Sequence, residues 1–168
     1  THRIIARSDT FVAGLLSYPI AAAPSDLLPR FRAAEVTAVQ VMEQCAERPD
    51  LTEPLAAFHI GQEIQNGDGL FLSNSMPVRD ADTFMDLSGR DVAVGCNRGA
   101  SGIDGLIASA TGFAQGGRRP TTILAGDLAM LHDLNSLALA ATAEYPVIII
   151  VINNHGGGIF HFLPIADY

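Results

Sequence analysis

The chain has 168 residues, a formal charge of −8, 48% hydrophobic residues and 17% charged ones, so a single domain with a sizeable core is expected and disorder is not. All ten cations are arginine. The absence of lysine excludes a Schiff base with pyridoxal phosphate and a phosphate loop ending in Gly-Lys-Ser/Thr, and the negative charge argues against a general nucleic-acid surface.

Arg3–Ala6 reads as a short strand, followed by an amphipathic stretch from Asp9 to Leu16. Pro19 and Pro24 punctuate the chain. Ser25 can cap a helix reaching about Glu47, with Leu28, Phe31, Ala38, Met42 and Cys45 near helical spacing. A change of pattern follows Arg48-Pro49-Asp50, and the expected division is 1–50 and 51–168. A helix to about Gln65 precedes strands at Leu70–Ser73, Val92–Cys96, Thr122–Ala125 and Val147–Ile152. Helical patterns at Ile103–Ala114 and Ala129–Ala143 lie between the last three. Apolar strands alternating with helices predict an α/β fold, a parallel sheet flanked by helices. The run Val147–Ile152 is too short to span a bilayer, no export signal is visible, and Cys45 and Cys96 lack metal-ligand spacing. The expectation is a cytoplasmic protein with reduced thiols and no membrane span.

Ligands of such sheets bind at the carboxyl ends of the strands. That rule picks out Ser73–Arg79, Asn97–Gly105, Gly126–Leu128 and Asn153–Gly158. Gly126 lets a ligand approach the backbone, and the helix start behind it offers amides to a phosphate. Asp127 would repel that phosphate unless a cation lay between them. Taken alone, Asp127 also reads as a helix cap. Asn153, Asn154 and the glycines 156–158 add amide oxygens and exposed backbone. One carboxylate, one amide oxygen, a main-chain carbonyl and phosphate oxygens make an octahedral magnesium shell.

Gly126-Asp127, with Asn154 placed 27 positions beyond the acid, resembles the cofactor motif of thiamine-diphosphate enzymes; Leu128 stands where many of them carry glycine. The segments SNSMPVRD, NRGASGIDG, GDLAMLHDLNSL and INNHGGGIFHFLP resemble more narrowly the 2-succinyl-5-enolpyruvyl-6-hydroxy-3-cyclohexene-1-carboxylate synthase (MenD) family, over about Leu51–Tyr168. The first 50 residues resemble only loosely the end of that family's central domain and a linker helix.

The resemblance implies thiamine diphosphate with Mg2+ or Mn2+, ligated by the side chains of Asp127 and Asn154 and the carbonyl of Gly156. It places Ser101, Gly126, Leu128 and Ile159 against the cofactor. Ile103 corresponds to the apolar wedge that bends the cofactor into its V shape, a catalytic role. Ser75, Arg79, Arg98, Phe160 and Leu163 fall at the substrate side, where arginine forks suit carboxylates. Read alone, Arg79 and Arg98 are solvated surface charges, and Ile103, Ile159, Phe160 and Leu163 are core. The implied reaction decarboxylates 2-oxoglutarate and adds the succinyl carbanion to isochorismate in menaquinone or phylloquinone biosynthesis, in the cytoplasm or a plastid stroma. The family's activating glutamate lies on a pyrimidine-binding domain, normally across a homo-oligomer interface. Nothing in the sequence corresponds to that domain, so the expectation is a piece of a longer enzyme, truncated at its C-terminus and inactive alone.

Three alternatives stay open. An acetolactate-synthase-like relative shares the cofactor motif. A non-catalytic fragment is also compatible. A dinucleotide-binding domain is suggested by Gly99, Gly102 and Gly105, but their spacing is G-x-x-G-x-x-G and it leaves Asn153–Gly158 unexplained.

Overall fold

A computed structural model describes residues 3–19, 25–100 and 102–164. By contacts the chain divides into two compact units, 1–40 and 41–168. The first holds helix α1 (Ser8–Ser17) and most of helix α2 (Leu27–Ala46), in which no residue is buried. The strand expected at Arg3–Ala6 does not form; these residues are irregular and exposed.

The second unit is the α/β body. Helix α3 (Glu53–Glu63) starts where the Thr52 hydroxyl accepts the Leu55 N–H at 3.4 Å and Pro54 fills the first turn. Strands β1 (Gly69–Leu72), β2 (Ala93–Cys96), β3 (Thr121–Gly126) and β4 (Val147–Ile152) form one parallel sheet in the order β2-β1-β3-β4. Helices α4 (Met76–Phe84) and α5 (Leu106–Gly117) connect them, with two short helices, α6 (Asp127–His132) and α7 (Leu137–Ala141), before β4.

The side-chain alternation of the strands separates two cores. On one face Leu70, Leu72 and Leu124 pack with Ile60, Ile64 and Ala81 of α3, its C-terminal end and α4. On the other, Phe71, Ile123 and Ala125 pack with Leu106 and Ala110 of α5. Each large apolar side chain so buried contributes roughly 1.5–3 kcal/mol of transfer free energy.

Within this second unit three elements depart from the sequence pattern. The strand-end segment Ser73–Arg79, for which no helix is expected, runs directly into helix α4. Helix α5 begins at Leu106 rather than Ile103, because Gly105 takes a left-handed conformation (φ 63°) just before it, leaving Ile103 in the preceding bend. The single helix expected over Ala129–Ala143 is broken at Asp133. Its Oδ2 accepts the N–H groups of Ile107 and Ala108 at 2.6 and 3.0 Å, and its Oδ1 accepts the Ser136 hydroxyl at 2.6 Å. Asp133 therefore caps α5 from a distance in sequence, and a 3-10 turn (Leu134–Ser136) takes the place of the regular helix. Among the described residues no helix is long and apolar enough to cross a membrane.

Candidate functional site

The strand order changes direction between β1 and β3: β1 leads to β2 on one side, while β3 and β4 lie on the other. Such a switch point opens a crevice at the carboxyl ends of the two central strands. Here Leu72 is in register with Leu124, and the Ser73 N–H donates to the Leu124 carbonyl at 2.9 Å. The chain then splays apart into Asn74-Ser75 on one side and Gly126-Asp127 on the other. A cleft of about 200 Å³ lies between them.

Of the residues expected at the site, Ser75, Ile103, Gly126, Asp127, Leu128, Asn154, Ile159 and Phe160 line this cleft. A Cβ built on Gly126 would meet nothing within 4 Å, so its backbone faces open space. Asp127 is half-buried; its Oδ1 accepts the Leu128 N–H at 2.7 Å and its Oδ2 accepts the Gly156 N–H at 2.8 Å. Gly156 is thus tied to the site through its amide without lining the cleft. Helix α6 behind Asp127 has only six residues, and the Leu128 amide is already taken by the acid. The phosphate-binding helix start expected there is therefore weaker than the sequence suggested.

Asn154 sits at the end of β4, and its Nδ2 donates to Glu53 Oε1 at 3.0 Å. Its Oδ1 is buried with no partner, as is Glu53 Oε2. Gly158 makes room for this amide: a Cβ there would lie 2.3 Å from Asn154 Nδ2. Positive φ at His155, Gly156 and Gly157 curls the loop back over the strand ends.

The arginines do not line the cleft. Arg79 is exposed and donates back to the Ser75 carbonyl one turn earlier. Arg98 is exposed and donates to Asn74 Oδ1 at 3.0 Å. Leu163 is also outside it and 46% exposed. Ser101 falls outside the described residues.

Sequence reasoning missed two residues. Asn74 is buried, and its amide donates to the carbonyls of Asn97, at 2.9 Å, and Gly102, which ties the ends of β1 and β2 together. Glu53 lines the cleft from the start of α3. Its only local signal, an acid in a helix first turn between Thr52 and Pro54, is what an ordinary helix start looks like. Asp80 of α4 is buried, and its carboxyl pKa is pushed up to about 6, first by burial and then by the charge of Glu53, with Arg79 opposing.

Among the described residues no three His, Cys, Asp or Glu side chains cluster as a metal site. A cation would depend on mixed oxygens, and those are present: a half-buried carboxylate on Asp127 and an orphaned amide oxygen on Asn154. An all-oxygen set suits a hard cation completed by phosphate oxygens.

The sequence profile of the thiamine pyrophosphate enzyme family, C-terminal TPP binding domain, matches residues 78–163. The chain belongs to that family. Thiamine pyrophosphate is thiamine diphosphate, and the family's domain is the diphosphate-binding α/β unit that the sheet displays. Among similar curated proteins is a 2-succinyl-5-enolpyruvyl-6-hydroxy-3-cyclohexene-1-carboxylate synthase of Rubrobacter xylanophilus, 47% identical over 100% of this chain and 29% of the relative. Proteins of the same name from Prosthecochloris aestuarii (54% identical, 71% of this chain, 21% of the relative) and Salinibacter ruber (47%, 81% and 23%) match as well. The resemblance carried by the four motif segments is borne out by these relatives. The chain spans less than a third of their length.

Proposed function

We propose that this thiamine-diphosphate-binding domain serves a synthase that decarboxylates 2-oxoglutarate and transfers the succinyl unit to isochorismate, a transferase step of menaquinone or phylloquinone biosynthesis in the cytoplasm or a plastid stroma. The observation that carries the reading is the meeting of the Asp127 carboxylate and the orphaned Asn154 amide oxygen in one cleft at adjacent strand ends. These two, with the Gly156 carbonyl, would hold Mg2+ or Mn2+ and through it the diphosphate. When bound, the cofactor supplies an electron sink for the carbanion chemistry.

The chain's own residues bind and orient. Ile103, at the mouth of α5, presents a branched apolar side chain that limits how two rings can fold against each other. Leu128, Ile159 and Phe160 give the cleft an apolar wall against which the cofactor can pack. Ser101 is assigned to the cofactor by its motif alone. Ser75, Arg79, Arg98 and Leu163 are assigned to the substrate; the two arginines hold the cleft-lining residues Ser75 and Asn74, and forked guanidinium groups suit a dicarboxylate. The names of the relatives support this substrate pair, and the cleft chemistry supports the oxygen-ligated metal. The aminopyrimidine-activating acid is assigned to a pyrimidine-binding domain reached across a homo-oligomer interface, with residues 1–50 acting as the end of a central domain.

Calorimetric titration of the full-length protein with thiamine diphosphate, with magnesium and after chelation, tests the reading. Binding that requires the metal is expected, followed by turnover of 2-oxoglutarate with isochorismate. Residues 1–168 alone should show no turnover. Cofactor binding indifferent to magnesium removes the shell built on Asp127 and Asn154.

A further inference from the structure

We propose that Glu53 is a positioning residue that locks the orientation of the Asn154 side-chain amide. The inference rests on the reading of Asn154 as a metal ligand. Glu53 opens helix α3, 101 residues before its partner, and its Oε1 accepts the Asn154 Nδ2–H at 3.0 Å. An acid in a helix first turn is ordinary at the surface. This one is partly buried: its Oε2 is shielded from solvent without a partner, and a buried acid, Asp80, lies close enough to feel its charge. Burying a carboxylate beside another acid is unfavourable unless the charge meets a specific need.

The need is visible in the donor inventory. An amide has one donor end and one acceptor end of nearly the same shape, and an ionised carboxylate only accepts. Glu53 therefore selects the NH2 end of Asn154 for itself and leaves Oδ1 on the other side. That oxygen is the buried, unpartnered one. A flipped amide would set two acceptors against each other at Glu53 and present a donor to a cation. Gly158 completes the lock, since its missing Cβ is what lets Nδ2 lie where Glu53 can reach it. The pair joins α3 to the end of β4, so the ligand oxygen is held by two elements rather than one loop.

The test measures the magnesium concentration that half-saturates thiamine-diphosphate binding in the full-length protein, for wild type, Glu53→Met and Glu53→Gln, with melting temperatures recorded without metal or cofactor. Methionine fills the same volume and cannot lock the amide. Loss of such an orienting partner should raise the magnesium requirement by about 10- to 100-fold. Glutamine still offers an acceptor oxygen, and the metal selects that orientation, so its requirement should stay within about 3-fold of wild type. A magnesium requirement unchanged in Glu53→Met overturns the positioning role. So does an equal loss in both variants, which would make the charge of Glu53, not its hydrogen bond, the active feature. If Glu53→Met does not fold, Glu53→Asp carries the test: it keeps the charge, withdraws the acceptor by one methylene, and is expected to behave as the impaired variant. Absence of any magnesium dependence in wild type would instead sink the functional reading beneath it.

Discussion

Asp127 accepts the Gly156 N–H at 2.8 Å, so one carboxylate oxygen joins the end of β3 to the loop that follows β4. The same acid is the only full charge in the proposed metal shell. Asp127→Ala should remove both the charge and the tether. We expect magnesium-dependent cofactor affinity in the full-length protein to fall by more than about 100-fold, beyond what loss of an outer partner causes. The far-UV spectrum should be unchanged, because Asp127 lies outside both hydrophobic cores. Equal cofactor affinity at fixed magnesium would take Asp127 out of the site.

Gly158→Ala tests the same site from the other side. The added methyl would lie 2.3 Å from Asn154 Nδ2, and the amide cannot swing aside without leaving Glu53. The magnesium requirement for cofactor binding should rise by about 10-fold. The melting temperature should stay close to wild type, since no core side chain is displaced. A large stability loss with unchanged metal requirement would place the clash elsewhere.

The sheet was legible in the sequence because its strands are short apolar runs bounded by glycine and polar residues, although only β1 and β3 are buried on both faces and the edge strands β2 and β4 expose one. All four strands fall within one residue of the expected limits at each end. The cleft residues Gly126, Asp127 and Asn154 followed from the strand-end rule together with motif spacing. What was not legible depended on contacts distant in the chain. Asp133 breaks a helix because it caps another one 26 residues earlier, which no local pattern encodes. Glu53 looks like any first-turn acid until the fold brings Asn154 to it. Helix α4 was hidden because it is only nine residues long and its first turn, Met76-Pro77-Val78-Arg79, falls in the polar segment that follows β1.

Arg79 and Arg98 are expected to act on substrate rather than cofactor. Each is already held by a protein oxygen, Arg79 by Ser75 and Arg98 by Asn74, but a guanidinium has five donors and can keep such a bond while engaging a carboxylate. Arg79→Ala and Arg98→Ala should each weaken substrate use by roughly 10- to 150-fold, as expected for one charge-assisted pair. Steady-state kinetics at saturating cofactor would show it. Lost cofactor affinity with normal substrate kinetics would reverse the assignment.

Asp80 makes stability depend on pH. Its carboxyl titrates near 6 in the folded chain, against 3.8 for an ordinary aspartate, because burial and Glu53 disfavour the charge. The folded state therefore holds the proton more tightly than the unfolded one. The stabilisation is fully present below pH 3.8 and is lost as pH rises through about 6. Asp80→Asn does not titrate. The variant should gain on wild type by roughly 1–3 kcal/mol between pH 4 and pH 7.5, measured by denaturant unfolding without metal. A constant difference across that range would mean Asp80 is not held protonated by its surroundings.

Ser75 sits at the rim of the cleft with φ 71° and ψ −131°, a conformation that L-residues rarely adopt. It precedes α4, yet its hydroxyl makes no capping bond there. A strained serine without a cap is costly, and such strain persists where a side chain is needed for binding. Two substitutions separate the cost from the use. Ser75→Gly relieves the backbone but adds freedom to the unfolded chain, so a net gain of about 1 kcal/mol in unfolding free energy is expected. Ser75→Ala keeps the strain and removes only the hydroxyl, so its stability should match wild type. Both should lose substrate affinity to a similar degree if the hydroxyl binds a substrate carbonyl, by about 5- to 10-fold for one neutral hydrogen bond. Thermal melts and steady-state kinetics on the two variants read these quantities independently. If Ser75→Ala turns over substrate normally, the hydroxyl has no part in binding and the strained backbone is needed only to turn the chain into α4.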